Sequence, residues 1–125
     1  MIRVEIDEFG TKRWYKDDKL HRDDGPAVEW VDGYKAWWQN GQIHRDDGPA
    51  EEYPNGTKRW YKYYQLYRDD GPAIEWADSE KWWCKDGELH REDGPAKECS
   101  IFIAFNEYWL EGKQVAESDL DALIR

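Results

Sequence analysis

The chain has 125 residues, 39% hydrophobic, 37% charged and 16% aromatic with nine Trp, enough for one domain or a short repeat array and too rich in rings for a disordered segment. Eighteen Lys and Arg against 28 Asp and Glu give a net charge of −10, which repels phosphate backbones and anionic bilayers and argues against generic nucleic-acid binding. No apolar run is long enough to span a bilayer, and Met1-Ile2-Arg3-Val4-Glu5 lacks the hydrophobic stretch of a signal peptide, so the expected location is the cytoplasm.

An N-terminal cap is expected over residues 1–9, where Val4-Glu5-Ile6 followed by Gly10 reads as the end of a repeat with one residue inserted. Four copies of a 23-residue unit then follow, 10–32, 33–55, 56–78 and 79–101. Gly25, Gly48, Gly71 and Gly94 are each followed by Pro and Ala at that spacing, and Lys12, Trp14, Arg22 and Glu29 recur with the same period. His21, His44 and His90 precede three of the repeat arginines, and Tyr67 precedes the fourth. A partial copy is expected at 102–117, where Tyr108-Trp109-Leu110-Glu111-Gly112 follows the pattern of Trp83 to Gly87. Ser118-Asp119-Leu120-Asp121, with Leu120, Leu123 and Ile124 at helical spacing, predicts a capping helix over 118–125.

Inside a copy the hydrophobic period is that of strands. Asn40-Gly41, Asp86-Gly87, Asp32-Gly33 and Asn55-Gly56 all read as two-residue type I′ turns, and about two strands per copy are expected. Across Asn40-Gly41 this pairs Gln39 with Gln42, Trp38 with Ile43 and Trp37 with His44. Across Asp32-Gly33 it pairs Val31 with Tyr34, Trp30 with Lys35, Glu29 with Ala36 and Val28 with Trp37. One face then collects Val28, Trp30, Lys35, Trp37 and His44. The other gathers Glu29, Ala36, Trp38, Ile43 and Arg45, with Glu52, Arg59 and Arg68 as a cross-strand ion ladder. Pro26, Pro49, Pro72 and Pro95 cannot donate to a ladder and mark a bend. Stacked tryptophans at 14, 37, 60 and 83 are the expected spine, because a lone hairpin cannot bury its rings. The fold expected is all-β: 23-residue β-hairpin repeats stacked in a single elongated antiparallel meander sheet, with a short C-terminal helix.

Trp37-Trp38-Gln39-Asn40-Gly41-Gln42-Ile43-His44, followed by Glu52-Tyr53-Pro54-Asn55-Gly56, resembles a MORN-type repeat over about residues 10–115. That resemblance implies hairpins stacked into an elongated sheet, and a scaffold that binds partners without conserved chemistry. The His-Arg-Asp-Asp-Gly-Pro-Ala variant also resembles repeats in uncharacterised bacteriophage and giant-virus proteins. It implies a viral or mobile-element origin and a location in the host cytoplasm.

Several residue groups invite functional readings. His44-Arg45-Asp46 matches the catalytic tripeptide of protein kinases, but the downstream Asn, the Asp-Phe-Gly and the nucleotide lobe are absent from the sequence. Asp23, Asp46, Asp69 and Glu92, each followed by Asp, could line an edge and hold Ca²⁺; exposed turn carboxylates are the simpler account. The histidines are expected to pack on Trp rings. Cys84 and Cys99 form no CxxC pair and are expected to be packed free thiols, and no metal or cofactor is expected.

The aromatic residues Trp30, Trp38, Tyr53, Tyr61, Tyr63, Tyr64, Trp76 and Trp82 vary between copies, and Trp30, Trp38, Tyr53, Tyr61, Trp76 and Trp82 among them are the candidate contacts for a protein partner. The expected function is non-enzymatic binding of a macromolecular partner. One version inhibits a host defence or regulatory protein, by nucleic-acid mimicry among other means. The alternatives are sequestration of a nucleotide signal, with Arg22, Arg45, Arg68 and Arg91 holding phosphate, and a structural subunit of a larger assembly. No membrane partner is expected, and self-association is left open.

Overall fold

A computed structural model describes residues 2–99 and 106–119. Two units divide the chain, Met1–Tyr64 and Gln65–Arg125, and in both the regular structure of the described residues is almost wholly short antiparallel strands. The all-β meander of hairpins expected from the sequence is what the chain forms.

The first unit contains β1 (Ile2–Ile6), β2 (Lys12–Lys16), β3 (Lys19–Leu20), β4 (Val28–Glu29), β5 (Lys35–Ala36), β6 (Trp38–Gln39), β7 (Gln42–Ile43), β8 (Glu51–Glu52), β9 (Lys58–Arg59) and β10 (Tyr61–Lys62). Its sheet runs in the order β1-β2-β4-β5-β8-β9, with every neighbour antiparallel. β3 pairs with β2, and β6 and β7 form a hairpin of their own. The second unit contains β11 (Gln65–Leu66), β12 (Ile74–Glu75), β13 (Lys81–Trp82), β14 (Cys84–Lys85), β15 (Glu88–Leu89), β16 (Lys97–Glu98), β17 (Tyr108–Leu110) and β18 (Lys113–Val115). There β12-β13-β16 form the sheet, while β14–β15 and β17–β18 are separate hairpins.

The copy 33–55 therefore holds four short strands, β5, β6, β7 and β8, where two were expected, while in 10–32 the first two are one unbroken strand, β2, and the count is three. The break falls at Trp37, which donates its N–H to the Ala50 carbonyl at 2.8 Å and accepts from His44 N–H at 3.0 Å, so the backbone changes partners there. Between β7 and β8 the segment His44 to Pro49 leaves the ladder, as a proline without an N–H requires.

Two kinds of turn alternate. Both central residues are left-handed at Asp17-Asp18 (φ 51 and 63), Asn40-Gly41 (50 and 79), Tyr63-Tyr64 (47 and 80), Asp86-Gly87 (53 and 79) and Glu111-Gly112 (49 and 77). These are the type I′ positions, and the pairing predicted across Asn40-Gly41 is the one observed. The Asp32-Gly33 and Asn55-Gly56 turns differ from expectation. Only Gly33 and Gly56 have positive φ, and Trp30 N–H bonds Tyr34 O as Tyr53 N–H bonds Thr57 O, so each loop is three residues long. The register consequently moves by one: Val28 faces Ala36 and Glu29 faces Lys35. Asp7 N–H to Thr11 O repeats the same loop 23 residues earlier, so the front cap keeps the period with no insertion.

This register replaces the expected Glu52, Arg59 and Arg68 ladder. Across the first sheet Lys12, Glu29, Lys35, Glu52 and Lys58 lie opposite one another in alternating sign, as do Glu75, Lys81 and Glu98 in the second. A slip by one residue would set charge against the buried row, so the alternation specifies register. That row is made of small residues. Ala27, Ala50, Ala73 and Ala96 are fully buried, with Val28, Ala36, Ile43, Ile74 and Cys84 beside them.

The tryptophans at 14, 37, 60 and 83 are half-buried. The expected stack of rings gives way to arginine: the guanidinium of Arg22 lies 3.9 Å from the Trp14 ring centre, Arg45 3.9 Å from Trp37 and Arg91 3.8 Å from Trp83. Most of the helix predicted over 118–125 lies outside the described residues, and Glu117–Asp119 form a single 3-10 turn. The predicted partial copy 102–117 is described from Asn106 onward. Among the described residues, no helix is long and apolar enough to cross a membrane.

Candidate functional site

What the copies share is consumed in holding them together. Arg45 donates from Nε to Asp47 at 3.0 Å and from Nη1 to the Pro49 carbonyl at 3.0 Å and Glu52 at 3.4 Å, while its plane covers Trp37. Arg22 does the same with Asp24, Pro26 and Glu29, Arg68 with Asp70, Pro72 and Glu75, and Arg91 with Asp93, Pro95 and Glu98. Gly48 completes the clamp, because a Cβ there would stand 2.9 Å from Arg45 Cζ. The four arginines considered for anion binding are thus tied to carboxylates of their own copies.

The histidines act as staples between copies, and the ring of His44 lies 4.3 Å from that of Tyr63, where packing on Trp was expected. His44 is buried; its Nδ1 accepts the Tyr63 N–H at 3.2 Å, which leaves Nε2–H to donate to Asp46 at 2.9 Å. His21 repeats the arrangement with Asn40 N–H and Asp23, and His90 accepts from Glu111 N–H and pairs with Glu92. The first carboxylate after each arginine therefore serves the His and the second serves the Arg. Tyr67, which replaces His, reaches Asp69 through its hydroxyl. Among the described residues no group of three or more His, Cys, Asp or Glu is placed to hold a metal ion.

The residues that differ between copies build something else. Glu51 occupies the place of Val28 and Ile74 in the neighbouring copies, and it is buried. Tyr34 donates to Glu51 Oε2 at 2.5 Å and Tyr53 to the same oxygen at 3.0 Å, while Arg59 approaches Oε1 at 4.0 Å. Tyr61 belongs to the same group, with Glu51 and Arg59 both acting on its hydroxyl. Burial first, and then the Glu51 charge, push the Tyr53 hydroxyl up to about 12. Burial and the hydrogen bond to Glu51 raise Tyr34, and Tyr61 is raised as well.

Over this cluster the rings form a wall. Trp30 and Tyr34 lie 4.8 Å apart between ring centres in a tilted pair, and Tyr34 and Tyr53 5.0 Å apart edge to face. They enclose with Pro54 an open cleft of about 340 Å³ whose rim carries Asp32 and Asn55. Trp30 is 48% exposed there. A larger groove of about 820 Å³ between the Asp23-Asp24 and Asp46-Asp47 turns is lined largely by the bonded His and Arg groups above.

Of the six predicted partner contacts, the structure brings Trp30, Tyr53 and Tyr61 together in the first unit. Trp38 is apart from them, edge-on to Tyr64 at 6.4 Å. In the second unit Trp76 and Trp82 pair edge to face at 5.4 Å, with Trp82 Nε1 donating to Glu80 and Lys97 over its ring. The sequence reading missed Tyr34 and Glu51. Aligning the copies carries the signal, since the position is apolar at Val28 and Ile74 but charged at Glu51 and Lys97. It named Tyr63 and Tyr64 among the variable rings but missed the left-handed turn they form, where they are 65% and 61% exposed. Both cysteines are free, and burial raises the Cys84 thiol to about 11. The chain matches no protein-family model, no curated protein and no solved structure.

Proposed function

We propose that the chain is a non-catalytic repeat scaffold that binds a protein partner through the Trp30, Tyr34 and Tyr53 cleft. The observation that carries this reading is a division of labour. The residues common to all copies hold the fold, while an exposed Trp and two tyrosines differ between copies and frame an open apolar cleft. Aromatic side chains with a polar tip are the usual anchors of protein interfaces. The net charge of −10 favours a partner with a basic surface. The resemblance to MORN-type repeats points the same way, and the phage-type variant suggests a host defence or regulatory protein as the partner.

Native mass spectrometry of the tagged chain recovered from cell lysate tests the proposal. The expected result is a stoichiometric protein partner that is lost with Trp30→Ala and Tyr53→Ala, both folded by near-ultraviolet circular dichroism. A partner retained by both variants would move the interface elsewhere. A small bound mass and no protein would support ligand sequestration instead, with Arg45 and Arg68 as the next residues to alter.

A further inference from the structure

β1 borders the first sheet, and all five of its residues are exposed. Its inner neighbour Trp14, opposite Val4, sends its N–H to Ala27 on the far side at 2.9 Å. Val4 and Trp14 are therefore a non-hydrogen-bonded pair. The alternation of an antiparallel ladder then turns the N–H and C=O groups of Ile2, Val4 and Ile6 toward the free edge. Among the described residues no strand covers that edge. Ile2, Val4 and Ile6, all apolar, are 48%, 47% and 64% exposed. An uncovered apolar edge of this kind is a template for another strand.

The residue order selects the occupant. We infer that β1 pairs antiparallel with β1 of a second copy of this chain, about a two-fold axis at Val4. In that register Val4 faces Val4, Ile2 faces Ile6, and Arg3 faces Glu5 in both directions. The residues with outward backbone groups then face one another, so each Val4 and each Ile2–Ile6 pair can exchange both of its hydrogen bonds. Sliding the copies by two residues either way sets Arg3 against Arg3 or Glu5 against Glu5. A parallel arrangement in register sets both like charges together. Sliding by one sets apolar side chains against charged ones and misaligns the backbone groups. Only the Val4-centred register satisfies charge, apolar contact and backbone at once. Arg3, which bonds Asp18 at 2.9 Å and Glu5 at 3.3 Å within the chain, lies within one side chain's reach of the new partner.

This inference stands apart from the partner-binding reading and is tested without any other protein. Sedimentation of the purified chain over a range of concentrations should show a reversible species of twice the 15.0 kDa chain mass. Arg3→Glu and Glu5→Arg should each weaken self-association about tenfold or more, since each sets like charges opposite one another. A mixture of the two variants should dimerise again, because every charged pair across the axis is then opposite in sign. Val4→Pro removes an outward N–H that the fold does not use, and should abolish the dimer with the circular dichroism spectrum kept. A chain that stays at 15.0 kDa throughout, or a dimer indifferent to all three substitutions, would overturn the inference.

Discussion

At position 48 a Cβ would stand 2.9 Å from the Arg45 guanidinium carbon, closer than packed atoms tolerate, and the φ there is ordinary. The glycine of each Gly-Pro-Ala is therefore selected for thinness and not for backbone freedom: it lets arginine lie flat between the chain and a tryptophan. A long side chain could usually swing away from an added methyl, but Asp47, Pro49 and Glu52 hold this one in place. Gly48→Ala should cost about 1 to 3 kcal/mol in urea denaturation. In an Arg45→Ala background the same change should cost far less, because nothing then occupies the space. Equal costs in the two backgrounds would show that the clamp is not the reason for the glycine.

β8 shows what one substitution in a repeated element can do. Where the neighbouring copies bury Val28 and Ile74, it buries Glu51, and three tyrosines and Arg59 gather around that carboxylate. A native Tyr53 held at about 12 keeps a proton that the unfolded chain releases near 10.0. The unfolded state therefore binds fewer protons in that window, and stability falls as pH rises through it. The contribution is whole below about pH 10 and is lost progressively toward pH 12. Urea midpoints measured across this range should fall less steeply in Tyr53→Phe, and the phenolate absorbance that rises late in the native chain should be smaller in the variant by one tyrosine. This cluster was only partly legible in the sequence. Trp30, Tyr53 and Tyr61 stood out as variable rings, but the Tyr34 bond spans 17 residues of sequence, and no local pattern announces it.

At the scale of the whole chain, the 23-residue period, the all-β class and the glycine-marked type I′ turns were legible because each depends on local chemistry: a repeated word, a period of two, a residue that accepts positive φ. The turns at Asp17-Asp18 and Tyr63-Tyr64 were not, since neither holds a glycine. The Asp32-Gly33 register was missed because one dipeptide serves two loop lengths, and only the partner of the Trp30 N–H tells them apart. Equivalence by period also could not say whether a tryptophan touches its counterparts or the arginine of its own copy.

The links between copies fall into the same class, and one of them can be altered. Tyr67 offers no imidazole nitrogen to the turn of the following copy, whereas His90 accepts the N–H of Glu111. Tyr67→His should give the Asp86 N–H such an acceptor and raise stability by about 0.5 to 1.5 kcal/mol, read as a higher denaturation midpoint. A variant no more stable than its parent would show that the imidazole is not what joins the copies.

The copy 33–55 carries in His44 an acceptor for the turn after it, and its own Asn40 supplies the donor for His21 in the copy before it. Such a segment can be duplicated or lost in frame by misaligned recombination of its gene without orphaning a bond. The length of the array is thus open to inheritance as a variable, while the pairing chemistry within it stays constant.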